Sequence, residues 1–133
     1  MFTRECLRLP GVTTWIYFAH PPRENFIETI SPEEGALMAG PHSQYLASLF
    51  EAGTLIMAGP SFDCPMNDGI AVIEAPDREA ALAIMNADPA IASGTMTGEL
   101  RQIRLAYLRG SANGQADGSA DGQADGQADG SDD

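Results

Sequence analysis

The stretches Leu55-Ile56-Met57-Ala58-Gly59-Pro60 and Gly69-Ile70-Ala71-Val72-Ile73-Glu74 are separated by one short run, Ser61 to Asp68, rich in turn formers. Each has strand length and apolar content, and no helical period lies between them. They read as consecutive strands 2 and 3 running in opposite directions. Upstream, Thr13-Thr14-Trp15-Ile16-Tyr17-Phe18-Ala19 is β-branched and aromatic and is stopped by Pro21-Pro22, which predicts strand 1. Ser31-Pro32-Glu33-Glu34 is a capping box with proline at the first helical position, so a helix is expected from there to Gly53, a fitting C-cap. Downstream, Pro76-Asp77 opens a second helix with Asp77 as N-cap, Glu79 in its first turn and apolar residues at 80/81, 84 and 85. It ends at Asp88-Pro89, because the residue before proline avoids the helical region. Glu99 to Tyr107 alternates as strand 4, with Leu100, Ile103, Leu105 and Tyr107 apolar.

The element order is therefore β-α-β-β-α-β. That is an α+β, ferredoxin-like arrangement with an antiparallel sheet. Two right-handed crossovers place both helices on one sheet face. The other face is left with apolar residues and nothing to cover it, and large apolar patches mark interfaces. A second copy packed sheet to sheet is the simplest cover, so a homodimer is expected.

The 133-residue chain suggests one domain, with an N-terminal extension at 1–12, an ordered part at 13–109 and a tail at 110–133. A unit Ala-Asp-Gly-Gln/Ser recurs at 116–119, 120–123, 124–127 and 128–131, with no apolar residue larger than alanine. Such a segment buries too little surface to offset its ordering entropy and reads as a flexible acidic tail. Its period of four does not match a calcium loop or a calcium-binding nonapeptide repeat. Six of the 19 acidic residues lie in the tail, which leaves 13 against 7 basic ones, a net charge of −6 for residues 1–109. Every basic residue is arginine, and the acidic balance argues against nucleic acid, whose binding rests on clustered lysine and arginine. No run of apolar residues is long enough for a membrane span, and Met1 to Pro10 has no signal-peptide core. Cys6 and Cys64 are isolated and read as reduced thiols of a cytoplasmic protein.

One residue stands out on the first helix. His42 shares a helical stripe with Tyr45, Leu46 and Leu49, and the apolar residues 45, 46, 49 and 50 mark the inner face. An inward imidazole needs a partner, either a backbone carbonyl in a filled core or an acid. Gly40-Pro41 lies just before it, and proline inside a helix predicts a kink or a break. With a break, Pro41 starts a new helix, and the positive helix end beside His42 keeps the imidazole neutral.

Strand directions bring distant residues to one edge of the sheet: His20, His42, the 61–68 loop and Asp88. Asp88 ends a helix, where the macrodipole disfavours a carboxylate unless it pairs with a cation or a histidine, although an Asp-Pro turn is the plain alternative. His20 ends a strand before Pro21-Pro22 and reads first as a surface residue. Asp63 and Asp68 are turn residues by default, Gly59-Pro60 lets a backbone approach a ligand or merely ends a strand, and Tyr45 packs or donates to an oxyanion. His20, His42, Asp63 and Cys64 have no metal-ligand spacing, so no metal is expected. There is no Gly-x-Gly-x-x-Gly, phosphate loop or Gly-x-Ser-x-Gly elbow.

The ordered series His42-Ser43-Gln44-Tyr45-Leu46-Ala47-Ser48-Leu49, Gly53, Leu55 to Pro60, Gly69 to Ile73, Glu79-Ala80-Ala81, Asp88-Pro89 and Gly94 resembles the YCII-related (YciI-like) family over roughly 13–108. The resemblance implies a dimeric α+β barrel, in which two ferredoxin-like units pair, and a His/Asp active-site pair at His42 and Asp88. Proteins of this barrel type include cofactor-independent enzymes that isomerise lactones or eliminate HCl from aromatic-pathway intermediates, and others that act on polyketides. The expected function is thus a small cofactor-independent lyase or isomerase acting on a small organic molecule. His42 and Asp88 are its acid/base pair, and Tyr45, His20, Pro60, Ser61 and Asp63 are substrate-binding candidates. The alternative is a non-catalytic small-molecule-binding or accessory protein of the same fold. The longer 21–41 stretch, Gly40-Pro41 and the acidic tail depart from the short YciI pattern, so the resemblance carries no substrate with it.

Overall fold

The computed structural model describes residues 12–110; Cys6 with the rest of 1–11, and the acidic repeat, lie outside the described residues. Strand β1 (Thr13–His20) is followed by helix α1 (Pro32–Leu37), a π-helical turn (Met38–His42) and helix α2 (Ser43–Glu51). Then come β2 (Leu55–Pro60), β3 (Gly69–Ala75), α3 (Arg78–Ala87), α4 (Pro89–Ala92) and β4 (Thr97–Ile103). The four strands form one antiparallel sheet in the order β2-β3-β1-β4. This is the α+β, ferredoxin-like arrangement that the element order implied.

Strand alternation sorts the residues of the sheet. Trp15, Tyr17 and Ala19 of β1 stand opposite Ile73, Ala71 and Gly69 of β3, so these side chains share a face. Trp15, Tyr17, Ile73, Leu55 and Leu100 form the main core with Ala81 and Met85 of α3, while Leu46 and Leu49 of α2 pack against it. Both helical layers therefore cover the same face. A register shift between Leu55 and Met57 inserts one residue into β2, so that Ala58 rather than Met57 stands opposite Ala71. The bulge re-aims the end of the edge strand: Met57 is exposed, and Ala58 turns to the helical side.

Three local expectations change. Strand β4 starts at Thr97 and stops at Ile103, paired with Thr14, because β1 begins at Thr13 and offers no further backbone partner. Tyr107 consequently lies outside the sheet and is exposed. Phe50 is exposed as well, since the face of α2 turned to the sheet is carried by Leu46 and Leu49.

The third change concerns Pro41. The helix neither breaks nor restarts there. Leu37, His42 and Ser43 all keep right-handed helical angles, and the turn between them widens to the π form. A π turn absorbs the proline, which lacks a donor and clashes with a standard α-helical turn. His42 thus lies in a continuous helical path, and the helix-terminus argument for a neutral imidazole does not hold.

The capping box at Ser31 forms as expected: Ser31 Oγ accepts from the Glu34 N–H, and Glu34 Oε1 accepts from the Ser31 N–H. Arg23 adds a forked pair to the same carboxylate, at 2.8 and 3.0 Å, which fastens the 21–31 connection to α1. Arg23 first and the Ser31 backbone second hold the Glu34 carboxyl at about 2.

Ile73 has no exposed surface, at the centre of the core. Ile73→Ala should lower unfolding free energy by about 2–5 kcal/mol in urea titrations. A loss below about 1 kcal/mol would mean that the core closes around the missing atoms or is not centred there.

Candidate active site

The site begins with a turn. The chain leaves α3 at Asp88, which takes extended angles (φ −62°, ψ 122°) as the following Pro89 requires. The same residue caps the short helix α4, accepting from the Ala90 N–H at 2.9 Å. Sequence reasoning missed this second helix, which gives the carboxylate an N-terminal position as well as a C-terminal one. Asp88 is fully buried. It takes two further hydrogen bonds: Tyr17 Oη donates to Oδ2 at 2.8 Å, and His42 Nδ1 lies 2.7 Å from Oδ1.

Burial alone would push the Asp88 carboxyl up. Hydrogen bonds from His42, the Ala90 N–H and Tyr17 outweigh it, so the group sits below its ordinary value and stays ionised. The Tyr17 phenol moves the other way: its burial, then the neighbouring Asp88 charge and hydrogen bond, raise it well above its usual range. An ionised carboxylate only accepts, so both partners must donate. Tyr17 keeps its proton, and His42 carries one on Nδ1. In neutral His42 the second nitrogen, Nε2, is therefore the basic one. Among the described residues it has no hydrogen-bond partner.

His42 and Asp88 open onto a cavity of about 310 Å³ between the sheet and the helices. Its floor is made of small residues at the upper ends of the strands: Ala19, Gly69, Ala71 and Ala58. Large residues at the other end of the same strands fill the core, so the cavity exists where the strands run out of bulk. Leu46 and Met38 wall it from the helical side, and Phe26, Ile27, Ile30 and Met96 close the rim. Two loops meet over that rim. The Asn25 N–H donates to the Pro65 carbonyl at 2.7 Å, and the Ile27 N–H donates to Asn67 Oδ1 at 3.2 Å.

The residues singled out from sequence separate into two groups. His42, Asp88 and Pro60 line the cavity. Tyr45, His20, Ser61 and Asp63 do not line it. Tyr45 Oη donates to the Ile84 carbonyl at 2.7 Å and joins α2 to α3, and Ser61 Oγ donates to the Asp68 carbonyl at 2.8 Å within its own loop. Asp63 sits on the exposed loop at positive φ (69°). His20 follows Ala19 on β1, so the pleat turns it to the opposite sheet face. There its two ring nitrogens meet Asp68 and Glu99 at 2.9 and 2.8 Å, and those two hydrogen bonds raise its pKa. Sequence reasoning missed Tyr17, Phe26 and Asn67. Only Tyr17 had a usable signal: alternation put it on the helical face, and a buried phenol needs a partner. Among the described residues no group of three or more His, Cys, Asp or Glu side chains is placed to hold a metal ion.

Fold and site together define a small α+β protein in which a buried carboxylate orients a histidine toward an apolar cavity. The profile of the YCII-related domain matches residues 15–104, and the chain belongs to that family. No curated protein matches the chain significantly. A similar solved structure is the 5-chloro-2-hydroxyhydroquinone dehydrochlorinase of Burkholderia phenoliruptrix, in complex with 2,5-dihydroxybenzoquinone. It is 14% identical over 68% of this chain and 92% of that one, with a TM-score of 0.46, a likeness too remote to carry an argument about chemistry. Among the described residues, no helix is long and apolar enough to cross a membrane.

Because the folded-state pKa of Asp88 is depressed, its contribution to stability is present above its ordinary 3.8 and is lost as pH falls through the lower folded value. Tyr17→Phe removes one of the bonds that depress it. The Asp88 carboxyl should then titrate higher by carbon NMR, and the acid-unfolding midpoint should rise with it. An unchanged carboxyl titration in a folded variant would show that Tyr17 does not support the carboxylate.

Proposed function

We propose that the protein is a cofactor-independent lyase or isomerase that moves a proton on a small organic molecule. His42 Nε2 takes a proton from a carbon next to a carbonyl or ring oxygen. The electron pair left behind either expels a group on the neighbouring carbon or accepts the proton back at a second carbon. The proton returns from Nε2 to the leaving group or to that second carbon, which resets the histidine. Asp88 holds the ring and stabilises the imidazolium formed in between, as an acid does beside a catalytic histidine. Tyr17 and the Ala90 N–H hold Asp88.

The observation that carries this reading is the buried Asp88 carboxylate bound to Nδ1 of His42, with the other ring nitrogen free beside a cavity. A protein that only bound a ligand would account for the cavity. It would leave unexplained why an ionised carboxylate is buried at the cost of its hydration.

We further propose that two copies pair through the sheet face turned away from the helices, making a dimeric barrel. Ile16, Phe18, Ile70 and Met57 share that face by register; Met57 is exposed and the other three are half-buried, an apolar surface suited to a second sheet. The reading places the protein in the cytoplasm, with a small molecule as its partner.

A panel of lactones and of carbonyl compounds bearing a β leaving group tests the chemistry. Any isomerisation or elimination found should fall by about 10²–10⁴-fold in His42→Ala, the range expected for loss of a positioned acid/base. Sedimentation should show the same dimer for both proteins. Full turnover in His42→Ala would contradict the mechanism.

A further inference from the structure

Among the described side chains that line the cavity, one polar group is left without a partner. Of its polar lining residues, Asp88 and Tyr17 bind each other. Asn67 is engaged at both ends of its amide: Oδ1 accepts from Ile27, and Nδ2 donates to the carbonyls of Ser61 and Cys64 at 3.3 and 3.5 Å. That leaves Nε2 of His42, which accepts rather than donates while the ring is neutral. Among the described residues no arginine lines the cavity, and the chain contains no lysine. Arg23 lies over the ring of Phe26, 5.2 Å from its centre, and its guanidinium is already bound to Glu34.

An anion entering this space would give up part of its hydration, would meet no cation among the described residues, and would approach the ionised Asp88 carboxylate. Both effects oppose binding in an apolar enclosure. The net charge of −12 disfavours its approach as well. A neutral molecule meets neither obstacle. A volume of about 310 Å³ holds about ten non-hydrogen atoms, taking roughly 30 Å³ for one water in the liquid.

Resting on the acid/base reading of His42, we infer that the site takes an uncharged, largely apolar molecule of about ten non-hydrogen atoms with one weakly acidic hydrogen directed at His42 Nε2. Carboxylates and phosphorylated compounds are excluded as substrates. Selection rests on a described lining that carries no cation and one unpartnered side-chain acceptor, with apolar contact supplying the rest of the affinity.

The test uses two probes of equal non-hydrogen atom count, 4-ethylphenol and benzoate, titrated near neutral pH into the full-length protein labelled with ¹⁵N. 4-Ethylphenol should shift the amides of the cavity wall saturably and bind at least about tenfold more tightly than benzoate. Ala58→Leu, which adds bulk to an exposed part of the wall, should weaken the phenol by about tenfold or more. Equal or tighter binding of benzoate, or binding of neither probe, overturns the inference. The ring signals of His42, followed in the same titration, separate this inference from the reading beneath it. Selective binding of the phenol at the cavity wall with no response of the His42 ring upholds the neutral-ligand class and contradicts the acid/base assignment.

Discussion

A carboxylate with no exposed surface holds this molecule's site together. Water around an ionised Asp88 has been replaced by three donors, from β1, from the helical run before β2 and from the first turn of α4. Hydrogen bonds to a charged acceptor contribute about 1.5–3 kcal/mol each, and leaving one unmade in a buried site costs at least as much. The three elements are therefore fixed relative to one another by a requirement of solvation rather than by shape alone. The imidazole acquires its orientation from the same requirement. A buried anion that can only accept dictates which nitrogen of His42 bears the proton and which one is left as the acceptor.

The cavity follows from a gradient of side-chain size along the sheet. At one end Trp15, Leu55, Ile73 and Leu100 fill the space under the helices. At the other Ala19, Ala58, Gly69 and Ala71 do not. The β2 bulge contributes by turning Ala58 inward, and the π turn carries Pro41 without ending the helix on which His42 stands. Arg23 and Asn67 hold the two rim loops in place through Glu34 and the Ile27 backbone. These devices shape an apolar cavity with His42 and Asp88 on one side of it.

The element order was legible in the sequence because its signals are local. The Ser31 capping box, the Asp77 N-cap, the Asp88-Pro89 stop and the two apolar runs flanking the 61–68 loop each act over a few residues. Strand directions carried His42 and Asp88 to one edge, and the family resemblance implied that the two pair there. Side-chain direction at that edge was harder. His20 is one residue beyond Ala19, and that single step of the pleat sends it to the other face and to Asp68 and Glu99. The outcome at Pro41 was not legible because a break and a π turn answer the same missing donor. The choice between them depends on packing around the whole helix. Tyr17 was visible as a core residue, but its bond to Asp88 depends on a long-range pairing that no local pattern encodes.

The central claim is that Asp88 fixes the proton on Nδ1 of His42 and leaves Nε2 as the base. Ring ¹⁵N chemical shifts of His42, recorded at a pH where the ring is neutral, test it directly. The account predicts a pyrrole-type shift at Nδ1 and a pyridine-type shift at Nε2. The opposite pattern, with the proton on Nε2, would contradict it.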